Sequence, residues 1–157
     1  MMTTLTLRAT TDLVAVAWLK GLVGDIVATT VPRNDTVAAS GFVTVHTSGG
    51  SSNMYVPLRE PVVLIDCWWA PKDSVKPPFN KATALAEAIV AGCYDHENTP
   101  RLLTLPDGYP HARVLSAHVV QDPRRPVVPG TGEASADHGS WARIVLGVQF
   151  HWIQVGS

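Results

Sequence analysis

Residues 141–155 constrain the fold more than any other stretch. Ile144, Leu146, Val148, Phe150 and Trp152 fall on one side of an extended chain, and Arg143, Gln149 and His151 fall on the other. A two-residue period belongs to a strand with one buried face, whereas a helix would scatter these side chains around its circumference. The run is longer than the usual strand of about five or six residues, and Gly147 within it marks a bend or bulge. A chain with such a strand must build a sheet and cover at least one side of it.

The remaining elements supply that cover. Thr11 or Asp12 caps a helix running to about Val23. Ala15, Trp18, Leu19 and Leu22 share one of its faces, while Leu13, Val16 and Ala17 lie on another. A helix apolar on two sides is either wholly enclosed in its own core or buried a second time by a neighbouring molecule. Residues 26–31 form a β-branched strand, 32–36 a turn, and 42–47 an alternating strand. Ser48 to Asn53 has the composition of a flexible loop. Val62 to Trp69 is almost continuously apolar and is expected to be a central strand covered on both faces. A second helix follows over about 80–91, with Ala82, Leu85, Ala86, Ile89 and Cys93 on one stripe and Gly92 as its stop. Residues 94–111 are loop-rich, 113–121 form a strand, and 122–140 form a long connection of a kind that is usually functional. The expected architecture is α+β. A mixed, largely antiparallel sheet of about five strands is flanked by two helices and ends in a long C-terminal β-hairpin. A single domain over residues 1–157, with an extended loop at 122–140, fits the length.

Composition narrows the function classes. A net charge of −1 lacks the basic excess of a nucleic-acid reader. With so small a net charge, little electrostatic repulsion keeps copies apart. Cys67 and Cys93 are too few and too far apart for a disulfide framework. Met1 to Arg8 lacks the basic start and apolar stretch of a signal peptide, and no apolar run is long enough to span a bilayer; synthesis in the cytoplasm without a leader is expected.

Few residues suggest chemistry. Asp66 interrupts an apolar strand, and Cys67 next to it points to the opposite face. Cys67, Cys93, His46, His96, His111 and His118 show no CxxC or HExxH spacing, so no metal is expected. Residues 48–53 lack the Lys and following helix of a phosphate loop, and no Gly-x-Ser-x-Gly elbow is present. No catalytic residue and no cofactor is expected. The candidate protein-interface residues are Trp18, Arg124, Arg125, Glu133, Asp137, His138, Trp141 and Arg143. Each also has a plainer reading. Trp18 fits a core helix, Arg124 and Arg125 a solvated turn, and Glu133, Asp137 and His138 a solvated loop. Trp141 stands apart from Trp152 because it shares a face with Arg143.

Four segments carry a family resemblance: the helix Asp12–Leu19, the strand Val62–Trp69, the helix Ala82–Ile89 and the closing strand Ile144–Phe150. In this order they resemble the tail terminator proteins of bacteriophages with long non-contractile tails, the siphophages. The resemblance covers most of the chain and is one of pattern, with no fixed motif. It implies a structural virion protein of the tail–neck region that assembles as a six-fold ring. It also implies partners: its own copies, the major tail tube protein, whose growth the ring stops, and a head–tail connector or stopper protein. DNA would pass through the ring without sequence-specific binding, and no membrane is involved. Another connector or tail-completion protein shares these traits. A small hydrolase using Cys67 with a histidine, and a non-catalytic domain with a tryptophan-lined pocket, are the alternatives from other classes.

Overall fold

In the computed structural model, residues 7–30, 40–71, 77–126 and 141–156 are described. Helix α1 spans Thr11–Val23, strand β1 Val27–Ala28, β2 Phe42–Ser52 and β3 Leu58–Trp69. Helix α2 spans Phe79–Tyr94, followed by β4 Arg101–Leu103, β5 His111–Arg124 and β6 Ala142–Gly156. The strands form one sheet in the order β1-β2-β3-β6-β5-β4. β1 runs parallel to β2, and every other neighbouring pair is antiparallel. The architecture is the expected α+β sheet with a closing hairpin, β5–β6, but it has six strands.

Two differences account for the sixth strand and for the greater length of β2. β4 is a three-residue strand within the stretch expected to be loop, and it pairs with Ala112–Val114 of β5. Pairing to a longer strand holds it in place, since prolines and polar residues on either side erase its local signal. Ser48 to Ser52, expected to be a flexible loop, instead continues β2 against Arg59–Val62. Backbone pairing overrides a composition of serine and glycine there. The register shifts between Thr47 and Gly49, and Gly50 adopts φ 112° with its backbone pressed against Glu60 and Pro61, where a side chain has no room.

Both helices lie on the same side of the sheet. Val43 and Val45 of β2, Val63, Ile65 and Cys67 of β3, and Ile144, Leu146, Val148, Phe150 and Trp152 of β6 meet Val14, Ala15, Trp18 and Leu19 of α1 and Ala82, Ala86 and Ile89 of α2 in one apolar cluster. The alternation along β6 is therefore the inner wall of this core. Thr10 caps α1, its hydroxyl accepting from the Leu13 N–H at 3.4 Å, one residue before the expected cap. Gly92 lies inside α2 and does not stop it; Leu22 of α1 packs where a side chain would stand. The helix continues to Tyr94 because this close crossing, not chain termination, is what the glycine serves.

Candidate functional site

On the other side of the sheet the same strands present Phe42, Thr44, Leu64, Asp66, Trp68, Arg143 and Val145, and no described helix packs there. The register sets Phe42 beside Trp68 beside Arg143, and Thr44 beside Asp66 beside Val145. Arg143 thus sits diagonally from Asp66, within reach of a long side chain. Its Nη2 donates to Asp66 Oδ2 at 3.0 Å. The guanidinium lies 5.1 Å from the Trp68 ring centre. Trp68 donates from Nε1 to Thr44 Oγ1 at 3.0 Å and meets Trp141 edge-on, with ring centres 6.4 Å apart. Trp68, Ala70 and Trp141 form a second, small buried cluster with Phe42 against it.

This arrangement suits charge neutralisation and packing. Asp66 is 6% exposed, and a carboxylate so enclosed needs its partner cation. Asp66 Oδ1 and Arg143 Nε are also buried, each without a hydrogen-bond partner. Cys67, on the opposite face, is fully buried; burial first, and then the nearby Asp66 charge, push its thiol far above the usual range. Burial raises the Cys93 thiol to about 11. Both cysteines are free and protonated at neutral pH, the reverse of what a thiolate nucleophile requires. Further along the same open face His118 and His151 stack with ring centres 5.7 Å apart, and Ser116 Oγ lies 3.0 Å from His151 Nδ1. Among the described residues no three of His, Cys, Asp and Glu gather as a metal site.

Of the described candidate interface residues, Trp141 and Arg143 both meet Trp68, whereas Trp18 lies on the helix side of the sheet. Trp18 must be withdrawn from the surface: it is fully enclosed, crosses Phe150 edge-on at 5.3 Å and donates from Nε1 to the Asn98 carbonyl at 3.1 Å. The face with Trp18 and Leu22 meets the sheet, α2 and the loop after it, and Leu13, Val16 and Ala17 on the other face are half-buried against the same core. Trp141 is likewise no surface anchor. It is 5% exposed, held in the small cluster beside Trp68. Arg143 keeps about a third of its side chain exposed. Arg124 and Arg125 are exposed at the end of β5. With the Gln121 amide turned so that its oxygen faces Arg124, the guanidinium donates to it from Nε at 2.9 Å and Nη2 at 3.1 Å, and Arg125 lies over the Phe79 ring at 3.8 Å. Glu133, Asp137 and His138, with most of the 122–140 connection, lie outside the described residues.

A surface missed in the sequence is the tip of the β2–β3 hairpin. Met54 is 82% exposed, Tyr55 87% and Val56 51%. Three consecutive apolar residues in a turn between strands are the signal that could have found them. Tyr94 and Leu102 are also well exposed.

No family model matches the chain, and no curated protein matches it. Among solved structures it is similar to a chain described as "Virion of native gene transfer agent (GTA) particle". The two are 20% identical, the match covers 90% of this chain and 89% of that one, and the TM-score is 0.45.

Proposed function

We propose that this chain is a structural virion protein of the tail-terminator kind, working without catalysis in the tail–neck region. Its copies form a ring, a hexamer, that caps the tail tube, stops its polymerisation and meets a connector or stopper protein on the other side, with DNA passing through the bore. The observation that carries this reading is the apolar hairpin tip, Met54-Tyr55-Val56, standing in solvent at the end of two long strands. A contiguous apolar projection of this kind marks a protein-contact site. The order of elements, which resembles the siphophage terminators, gives that contact its context. Surplus apolar surface remains the physical argument for assembly, but it resides on the hairpin tip and not on α1.

Light scattering with and without the tube protein, followed by electron microscopy of the peak, tests the proposal. A closed ring, at least when tube protein is present, is expected. A strict monomer under both conditions overturns it. A ring that fails to halt tube growth makes the chain another connector or tail-completion protein. Burial of Cys67, with its raised thiol, speaks against the cysteine-hydrolase alternative.

A further inference from the structure

At the far end of the sheet, on the side that carries the helices, a cavity of about 290 Å³ lies between the residues preceding α1 and the ends of β2, β3 and β6. Arg8 and Arg59 line it together with Ser52, and among the described residues no acidic side chain does. Neither arginine forms an ion pair with another described residue. A second cavity of about 280 Å³ shares Ser52 and Arg59 and borders Thr11, the first residue of α1, and Thr47, whose hydroxyl donates to the Asp12 carboxylate at 2.9 Å.

The lining has donors to spare. Its two amide oxygens are already used: Gln154 Oε1 accepts from the Ala9 N–H at 3.0 Å, and Asn53 Oδ1 accepts from the Tyr55 and Val56 N–H groups at 2.8 and 3.2 Å. Trp152, also part of the wall, is 1% exposed, and its buried indole Nε1 has no acceptor. Such orphaned donors are uncommon in folded proteins. Arg59 lies over the Trp152 ring at 5.4 Å from its centre. Two guanidiniums without an ion-pair partner and a hydroxyl therefore line a space that lacks an anionic acceptor, and the ring of Trp152, whose buried N–H is unpartnered, forms part of its wall.

We infer that this cavity takes the carboxylate of an acidic side chain, flanked by an apolar residue, on a segment of a partner protein. The charge selects an anion. The apolar walls, Val56 and Leu58, suit the hydrocarbon stem of an acidic side chain, and the exposed Met54 and Tyr55 adjoin them for the flanking residue. A nucleic-acid backbone is the poorer fit, because a chain of net charge −1 lacks the overall basic excess that nucleic-acid binders carry. The site shares the Met54–Val56 tip with the proposed ring contact but does not need the ring, so it is tested on the free chain and its failure leaves the ring reading standing.

The test follows the Trp152 indole N–H signal by NMR, assigned through its loss in Trp152→Phe. The probe is a blocked pentapeptide, Gly-Leu-Glu-Leu-Gly; its controls are the same peptide with Gln for Glu, inorganic phosphate, and a short DNA duplex. The Glu peptide is expected to move the signal saturably, and the Gln peptide to bind about tenfold more weakly, as for loss of a charged hydrogen bond. Arg59→Gln and Arg8→Gln are each expected to weaken the Glu peptide about tenfold, again a lost charged hydrogen bond, and to leave the Gln peptide unchanged. Equal binding of the two peptides overturns the inference, as does a signal that no peptide moves. Tighter binding of phosphate or duplex at the same signal also overturns it, in favour of a phosphate site.

Discussion

β3 and β6 belong to two environments at once, and the contrast between them is chemical. Toward the helices they present Val63, Ile65, Leu146, Val148 and Phe150, all closed off by α1 and α2. Away from the helices they present Asp66, Trp68 and Arg143, where burial is shared among an ion pair, an indole hydrogen bond and two tryptophan rings. The first side gains stability mainly from apolar area, with the Trp152 N–H as a buried donor left without a partner. The second depends on specific pairing, so its cost falls due when one member is lost. A sheet built this way has one face fixed by packing and another that can be altered by changing single charges.

The largest expected effect is on the packed side. Trp18→Ala removes a fully enclosed ring and leaves the Asn98 carbonyl without its donor. Urea unfolding should show a loss of about 3–5 kcal/mol. A loss under about 1 kcal/mol would mean that the helices are not what holds this face. On the other side, Arg143→Met strands the Asp66 carboxylate; a loss of about 2–3 kcal/mol is expected, below that of a fully enclosed pair because part of Arg143 meets solvent. Asp66→Leu combined with Arg143→Met should recover most of it. If the double variant is as unstable as the single one, packing governs both faces and the contrast fails. The smallest effect on stability belongs to neither face. Met54→Ser with Tyr55→Ser should shift unfolding by no more than about 0.5 kcal/mol, since both side chains stand in solvent. The same change should abolish the ring seen by light scattering, and an intact ring would remove the hairpin tip from the contact.

The packed side was the more legible in the sequence. The strand alternation of residues 142–152 and the stripe Ala82, Ala86, Ile89 identify core positions because a single period repeats there. Asp66 was visible as an anomaly, but its partner was not: Arg143 lies 77 residues away, and only the register of two paired strands brings it near. Sharing a strand face with Arg143 makes Trp141 look like an interface residue in the sequence, whereas Trp68 supplies a neighbouring ring from another strand and encloses it. Ser48–Ser52 was misread because its order comes from pairing with β3 and not from its own side chains. The cavity between Arg8, Arg59 and Trp152 left no local trace, since its walls come from separate segments of the chain.

The position of β6 between β3 and β5 has a further consequence. The β2–β3 hairpin and the β4–β5 pair do not touch edge to edge; β6 alone bridges them. Without β6 the facing edges of β3 and β5 have no strand between them, and an uncovered edge is open to pairing with another chain. Synthesis places both edges ahead of the strand that covers them, so closure of the sheet waits for β6.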